Sequence, residues 1–365
     1  MDSHSLESAQ LDGMSSKTNR INICNILSKM KLNQYISLKY TLILVIWCQI
    51  LPSGNSQNDL DSLSFFEASP VFHEKRFNTA LGFTIGTYSA FSYGLYNVWY
   101  RQFEQESFHL FNDWGEWQNI DKFGHIYTAY FQGVLCYKGA KWTGLSEEKS
   151  ILTGILCASL FQSTIEVMDG FSSAWGFSLT DMAANAIGVS AFALQQKHWG
   201  EQRILFKVSS WPKSYDNVVI TSDDGQTTSD LITRTNDIYG TNYFESFLKD
   251  YNAQTIWASV NVHSFLADDN RWPSWLNLAI GYSAENMFGG YENTWEIDNR
   301  QFTLDPSYNR YQEFLIGFDV DLSRIKTKSH FLKTLLSVFN IFKVPSPALE
   351  INTQGELKLH FVYLN

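Results

Sequence analysis

Three short stretches in the middle third of the chain decide its fold. Residues 121–125 read DKFGH, residues 166–170 read EVMDG, and residues 176–188 read GFSLTDMAANAIG. Polar residues within each stretch recur at spacings of three or four, which places them on one face of a helix. Acids, a histidine and an asparagine are costly to bury beside apolar residues unless they are paired. The pattern therefore predicts a shared polar cluster carried by helices.

Four segments around these stretches have a helical pattern. The first, residues 78–100, contains no charged residue and repeats small residues every fourth position, at Gly82, Gly86, Ala90 and Gly94. Such a ridge lets another helix approach closely, and a glycine-rich strand pair is the alternative. The other helices are predicted at residues 123–142, 147–168 and 178–198, with Ser178 and Asp181 resembling a capping box. Together the four segments predict a four-helix bundle over residues 78–199.

This topology predicts where the polar residues meet. In an up-down bundle the start of the second helix, the end of the third and the start of the fourth lie at the same end. Glu166 and Asp169 are the most informative members because the C-terminal end of a helix disfavours acids. The residues expected to converge are Asp121, Lys122, His125, Glu166, Asp169, Ser178 and Asp181, with Asn185 on the same helix face as Asp181.

Three kinds of chemistry fit this cluster, and the sequence leaves them open. It could bind a divalent metal, with His125, Glu166, Asp169 and Asp181 as candidate ligands. It could carry acid–base catalysis, with Glu166 or Asp169 as base and His125 as acid or ligand. It could instead be a structural hydrogen-bonded network in which helix caps and register-fixing pairs involve Asp121, Lys122, Ser178, Asp181 and Asn185.

The pattern changes after Gly200. Residues 200–239 include a polar, turn-rich stretch that predicts a linker or loop, and residues 329–342 predict an amphipathic helix. Apolar and polar residues then alternate with a period of two, which is typical of strands, at residues 256–262, 275–282, 312–322 and 357–363. The chain is thus predicted to be an α+β protein with an antiparallel β-rich domain over residues 240–365. Long aromatic strands also make outer-membrane association an alternative.

Composition limits the partners and the compartment. The formal net charge of -10 excludes a typical nucleic-acid-binding surface. Aromatic residues make up 16% of the chain and charged residues only 18%, which fits either a large aromatic core or contact with a membrane or envelope lipid. Cys136 and Cys157 lack metal-type spacing and are predicted to be buried free thiols, with one disulfide as the alternative.

Residues 30–56 predict a signal peptide. Positive charge precedes an apolar run of the right length, and small residues precede a cleavage point after Ser56. An uncleaved N-terminal anchor is the alternative. Residues 1–29 fit neither interpretation, so we expect the natural start to be Met30. The protein is therefore expected to be exported to the cell envelope, either periplasmic or associated with the outer membrane.

The three-part pattern DKxxH, ExxDG and GFSxxDxxxNxxG resembles the YfiM-like predicted periplasmic lipoproteins, a domain family of unknown function. It is more distantly similar to VanZ-like proteins, which carry related motifs on four helices. The resemblance covers residues 118–195, and residues 240–365 resemble longer Bacteroidota-type members whose tails contain a stretch like residues 324–334. The chain departs from the short members at Cys48, where bulky Trp47 replaces the small residue that lipid attachment requires.

These observations predict an envelope protein with a structural or binding function. The resemblance supports a location and a fold and supplies no established mechanism. Two alternatives remain open at this stage. One is a hydrolase or transferase acting on an envelope lipid or polymer, and the other is a component of outer-membrane transport, which would need the second half of the chain to complete a barrel.

Overall fold

The computed structural model describes residues 63–365 apart from Gln102, Asp268 and the side chains of Val98 and Phe244. The predicted signal peptide, residues 1–29, Cys24 and Cys48 lie outside the described residues. Helices dominate the first part and an antiparallel sheet forms the C-terminal part, so the α+β prediction is confirmed.

The helical part has four long helices. They are α1 (Glu74–Leu95, followed by one π-helical turn at Tyr96–Tyr100), α2 (Ile120–Trp142), α3 (Glu147–Asp169) and α4 (Leu179–Trp199). Serine hydroxyls cap two of them: Ser146 Oγ accepts from Lys149 N in α3, and Ser178 Oγ accepts from Asp181 N in α4. These bonds satisfy backbone donors that the first turn of a helix leaves unpaired.

Helices α2, α3 and α4 pack closely against one another because glycines lie where they cross. A Cβ on Gly188 of α4 would lie 2.3 Å from the carbonyl oxygen of Ile126 in α2. A Cβ on Gly154 of α3 would lie 2.6 Å from the carbonyl oxygen of Gly133 in α2. Since real side chains do not tolerate such distances, the absence of a Cβ sets the spacing of the three helices.

Helix α1 lies at the periphery of this group. Phe77 packs near the turn between α2 and α3, and Tyr88 Oη forms a 2.8 Å hydrogen bond with Thr164 Oγ1 of α3. The predicted ridge of small residues contacts no other described helix, because a Cβ at Gly82, Gly86 or Gly94 would meet nothing within 4 Å. The structure shows three closely packed helices with a peripheral fourth, and the predicted four-helix bundle is not confirmed.

Among the described helices, only α3 is both long enough and apolar enough to cross a membrane. Half of its most apolar stretch is buried inside the protein. Cys136 and Cys157, on α2 and α3, are both free thiols; Cys157 is buried as the sequence predicts, whereas Cys136 is only half-buried.

The strands fall into one large sheet and three small pairs. In chain order they are β1 (Leu110–Phe111), β2 (Phe177–Ser178), β3 (Ile204–Ser210), β4 (Val219–Thr221), β5 (Thr228–Asp230), β6 (Gln254–Val260), β7 (Leu276–Glu285), β8 (Thr294–Ile297), β9 (Arg300–Thr303), β10 (Tyr311–Val320), β11 (Ser346–Asn352) and β12 (Leu357–Tyr363). The six-stranded sheet has the order β12-β11-β10-β7-β6-β3. The described residues also form three shorter α-helices: α5 (Leu231–Tyr239), α6 (Tyr243–Lys249) and α7 (His330–Phe339).

Strand β3 lies inside the segment that was expected to be a linker or loop. Its Lys207 points to the buried face of the sheet, where its Nζ lies 2.7 Å from Asp319 Oδ2 of β10. An inward lysine interrupts the apolar alternation that marks a strand, and its partner lies far away in the sequence. Residues 204–210 therefore lack the alternating pattern that predicts a strand, although they form an edge of the main sheet.

The sheet is strongly curled, because side chains on non-adjacent strands touch each other. Thr255 Oγ1 of β6 and Tyr363 Oη of β12 are 2.9 Å apart, although three strands separate β6 from β12. The free edge of β3 is bridged by the chain around Phe342, where Val208 N donates to the carbonyl oxygen of Ile341. On one face of the sheet, the curl encloses buried polar side chains together with an apolar cluster, which consists of Trp257, Ala279, Leu315, Ala348 and Tyr363.

The helices pack on the other face. Ile120 and Tyr127 of α2 share one apolar cluster with Val208 of β3 and Ile256 of β6. This contact places the first turns of α2, which carry Asp121, Lys122 and His125, directly against the sheet.

Candidate functional site

The start of α2 is held by an unusual turn. Trp117, Gln118 and Asn119 have positive φ angles of 48°, 55° and 60°, a region that costs energy for residues other than glycine. The sheet domain holds this turn in place: Tyr282 Oη donates to the carbonyl oxygen of Gln118, and Trp117 N donates to that of Gly290 over 2.6 Å. The turn therefore orients the first residues of α2 relative to the sheet.

A second anchor brings Asp113 to the same place. Strands β1 and β2 pair in parallel, with Leu110 opposite Phe177 and Phe111 opposite Ser178. The chain leaving β1 then carries Asp113 to the start of α4, where Ser178 Oγ donates to Asp113 Oδ1 over 2.7 Å. Burial raises the pKa of Asp113, but hydrogen bonds with Asp181 and Lys122 and with nearby hydroxyls outweigh it and hold the pKa well below its usual range.

Lys122 lies among three carboxylates. Its Nζ is 2.6 Å from Asp113 Oδ2, 2.8 Å from Asp121 Oδ2 and 2.7 Å from Asp181 Oδ1, and all four side chains are buried. Burial lowers the pKa of Lys122, but the surrounding carboxylates outweigh that effect and raise it. One ammonium group thus faces three acids, which leaves the cluster with an excess of negative charge.

His125 lies one turn further along α2 and faces a second set of acids. Its Nδ1 lies 3.1 Å from Asn185 Oδ1, which can only accept, so Nδ1 carries the proton in the neutral ring. The unprotonated Nε2 then faces Glu166 Oε1 at 3.7 Å and Asp181 Oδ2 at 3.8 Å. Asn185 therefore orients the imidazole so that its lone pair points at two carboxylates.

Glu166 is the most deeply buried member, with no exposed surface. Its Oε2 accepts from Ser178 N over 3.3 Å, whereas its Oε1 has no hydrogen-bond partner among the described residues. Burial and the charges of Asp181 and Asp169 raise the pKa of Glu166 to about 9. Burial raises the pKa of Asp181 to about 6, although His125 and Lys122 act in the opposite direction.

Asp169 is separated from this set. Its Oδ1 accepts a 2.7 Å hydrogen bond from the hydroxyl of Tyr100, and it joins neither of the two groups of potential metal ligands among the described residues. Loss of solvation raises the pKa of Asp169 to about 7. The sequence predicts Asp169 as a candidate metal ligand alongside His125. The structure does not support this prediction, because the Asp169 carboxylate is hydrogen-bonded to Tyr100 and lies outside both groups of potential ligands.

Two groups of three side chains could hold a cation. The first is His125, Glu166 and Asp181, whose ligand atoms all lie within 4.8 Å of one another. The second is Asp113, Asp121 and Asp181, equally close. The ammonium of Lys122 already lies within 2.8 Å of each member of the second group. The first group contains no positive charge of its own and is the better cation site.

Three residues near the cluster were not predicted from the sequence. Asp113 reaches it only through the short β1–β2 pair, Tyr100 comes from the end of the first helical segment, and Glu116 belongs to the left-handed turn. Burial, followed by the charge of Asp121, raises the pKa of Glu116 to about 7. These three positions belong to no periodic pattern, so in the sequence they look like ordinary surface residues.

Comparison with known proteins gives one family match, and it spans the residues of this cluster. Residues 110–197 match the family model described as predicted periplasmic lipoprotein (DUF2279). The matched region begins at β1 and ends within α4, so it contains Asp113 together with all eight predicted site residues. The match covers 88 of the 365 residues and supports export to the cell envelope, and the family is a domain of unknown function. The comparisons found no match among curated proteins and none among solved structures.

Proposed function

We propose that the protein is a cell-envelope component whose helical part binds one divalent cation through His125 Nε2, Glu166 Oε1 and Asp181 Oδ2. One observation carries the proposal: Glu166 Oε1 is fully buried without a hydrogen-bond partner among the described residues, and it lies 3.7 Å from His125 Nε2. His125, Glu166 and Asp181 each offer a ligand atom within 4.8 Å of the others. A structural network would pair its buried acceptors. A cation at this point supplies the missing partner.

The surrounding charges support the same conclusion. Lys122 lies 2.7 Å from Asp181 Oδ1, which leaves Oδ2 of the same carboxylate facing His125. Separations of 3.7 and 3.8 Å between ligand atoms are within a few tenths of an ångström of those expected around a tetrahedral ion with bonds of about 2.1 Å. One imidazole and two carboxylates favour Zn²⁺ or Mn²⁺ over Ca²⁺, which prefers an all-oxygen shell.

Asn185 has the role of an outer-shell partner in this arrangement. Metal-bound histidines usually donate their other ring N–H to an acceptor, which fixes the tautomer and the ring orientation. The 3.1 Å contact between His125 Nδ1 and Asn185 Oδ1 provides this bond. The sequence spacing supports it as well, because Asp181 and Asn185 lie one turn apart on α4 and reach the same imidazole.

Elemental analysis of the full-length protein tests the proposal. After saturation with Zn²⁺ or Mn²⁺ and removal of free metal, the wild type should retain about one equivalent per chain. His125→Ala and Glu166→Gln should lose most of it. Asp169→Asn is the matched control, an acid three residues from Glu166 but outside the ligand set, and it should retain the metal. A wild type that retains no metal, or an Asp169→Asn variant that loses it while Glu166→Gln keeps it, would refute the site.

A metal-assisted hydrolase acting on an envelope lipid or polymer is the second candidate. Three protein ligands leave a coordination position for water, and the His125 side chain keeps 18% of its surface exposed at the rim of the cluster. The metal-loaded wild type should then hydrolyse p-nitrophenyl phosphate or p-nitrophenyl acetate faster than Glu166→Gln. Bound metal without turnover on either probe would favour a purely structural or binding role.

Several finer predictions rest on the sequence alone. We infer export through the signal peptide at residues 30–56, which N-terminal sequencing of the mature protein tests. The likeness to VanZ-like proteins and to longer Bacteroidota-type members stays a prediction. A transport role is the least supported, because the described interior of the curled sheet contains buried paired side chains such as Lys207 and Asp319.

A further inference from the structure

The main sheet has its polarity inverted relative to a sheet in a water-soluble protein. Many side chains that point into the curl are buried and polar, among them Asn277, Asp319 and Glu350, and they lie beside a small apolar cluster around Trp257. The other face is apolar. The helices cover it at β3 and β6, and beyond them its side chains are exposed; Ile316, for example, retains 59% of its surface. A soluble sheet normally buries its apolar side and exposes its polar one.

Strand register shows that the exposed apolar residues form one continuous surface. Ile316 of β10 is paired with Ile280 of β7 on one side and with Leu349 of β11 on the other, and Leu349 is paired with Leu359 of β12. The next row contains Phe314, Ile351 and Leu357 in the same relation. We call these outward side chains of β7, β10, β11 and β12 the apolar sheet face. A contiguous apolar surface of this kind marks an interaction site.

Helix α7 also turns its apolar side chains away from the protein. Its Ser337 accepts a hydrogen bond from Lys138 of α2, so a polar position contacts the protein. Its large apolar side chains are exposed instead, among them Phe331, Val338 and Phe339 at 47–56% of their surface. None of the ten residues of α7 is buried. A short helix that directs its apolar side chains outward is typical of one lying in a membrane interface.

The charges beside α7 identify the kind of partner. Lys326, Lys328 and Lys333 are exposed, and none has an ion-pair partner among the described residues. By contrast, the neighbouring Arg324 is paired with Glu201 and Asp321. Three unpaired lysines in a chain of net charge -10 form a local positive patch. Such a patch complements anionic lipid headgroups.

We propose that the apolar sheet face and helix α7 together form a lipid-binding surface that docks the protein on an anionic membrane. The apolar rows would contact acyl chains, and Lys326, Lys328 and Lys333 would lie at the level of the headgroups. This inference is independent of the metal site, because the surface lies on the sheet and on α7 and contains none of the three proposed ligands.

Vesicle flotation of the full-length protein tests the proposal. The wild type should float with phosphatidylcholine vesicles that contain phosphatidylglycerol, and less with pure phosphatidylcholine. The double variant Ile316→Asp/Leu359→Asp should partition about tenfold more weakly, since charges on a lipid-facing strand are costly. Val219→Asp is the matched control, because Val219 is 70% exposed on β4, outside the apolar sheet face, and it should float as the wild type does.

The lysines provide a second measurement that does not change the sheet. Replacing Lys326, Lys328 and Lys333 with Gln should weaken flotation with the anionic vesicles and leave the weaker binding to pure phosphatidylcholine unchanged. Folding of every variant is checked by circular dichroism. Failure of the folded wild type to float would overturn the proposal. So would self-association in lipid-free buffer that Ile316→Asp/Leu359→Asp abolishes, because the face would then be an interface between copies of the chain.

Discussion

The backbone N–H of Ser178 donates a hydrogen bond to Glu166 Oε2 across 3.3 Å. In a capping box the acid three residues after the cap accepts this bond. Here that acid is Asp181, and its carboxylate faces Lys122 and His125 instead. Glu166, at the end of α3, therefore completes the cap of α4, which ties two helices together and leaves Asp181 available to the site.

Ser178→Ala should destabilise the protein by about 1–3 kcal/mol. The substitution removes the bond from Asp181 N to Ser178 Oγ and the bond from Ser178 Oγ to Asp113, both of which are buried. Denaturant unfolding measures the loss. Ser329→Ala is the control because Ser329 caps the exposed helix α7 in the same way, and it should cost about 1 kcal/mol or less. Equal losses in the two variants would show that the hydrogen bond from Ser178 Oγ to Asp113 adds nothing to the cap.

Gly188→Ala should destabilise the protein, whereas Gly82→Ala should not. A Cβ at Gly188 would lie 2.3 Å from a backbone oxygen of α2, so the helices must separate, at a cost of about 1–3 kcal/mol. A Cβ at Gly82 would meet nothing within 4 Å, and alanine is the better helix former by about 0.5–1 kcal/mol. Thermal unfolding of the two variants should therefore show shifts of opposite sign. A stable Gly188→Ala protein would contradict the close packing of α2 and α4.

The sequence predicts the polar cluster because the features that place it, helix caps and apolar periodicity, lie within short stretches of the chain. Apolar periodicity and caps indicate α2, α3 and α4, and up-down topology alone brings His125, Glu166 and Asp181 to one end. Asp113 and the pairing of Tyr100 with Asp169 depend on loop paths that no periodic signal records. The alternation of residues in β7 and β10 was visible too, but alternation shows only that the two faces differ. It does not show which face the protein buries, and here the polar face is the buried one.

Lys207→Met should cost about 3–5 kcal/mol, because it leaves the carboxylate of Asp319 buried without its charged partner. Both side chains are completely buried, with Lys207 Nζ 2.7 Å from Asp319 Oδ2. The double variant Lys207→Met/Asp319→Leu should recover most of this loss, since apolar pairs of similar volume often replace buried ion pairs without penalty. Denaturant unfolding of the two single variants and the double variant measures the coupling. Additive losses would show that the two charges do not stabilise each other.

The curled sheet should also make stability depend on pH through Glu313 of β10. Burial and the charge of Glu350 raise its pKa to about 7, although Lys213 and Lys358 act in the opposite direction. The folded protein therefore holds a proton that the unfolded chain releases at a lower pH. Below the pKa of 4.5 of the unfolded chain, the acid is protonated in both states and does not reduce the free energy of unfolding. As the pH rises from there through about 7, the unfolded chain releases this proton first, so the free energy of unfolding falls. Glu313→Gln, which mimics the protonated acid, should therefore be more stable than the wild type at pH 8, by up to about 3 kcal/mol, and equal to it near pH 4.

Glu356 on the turn between β11 and β12 is the matched control, with the opposite sign. Its pKa is lowered by hydrogen bonds from the side chains of Lys358 and Asn352, so its charged form stabilises the folded state. Glu356→Gln should therefore be less stable than the wild type at neutral pH, and the difference should disappear as the pH falls below the folded pKa. Thermal unfolding of the wild type and both variants between pH 4 and pH 8 compares the two acids directly. A Glu313→Gln difference that stays constant over this range would show that Glu313 titrates alike in the folded and unfolded chains.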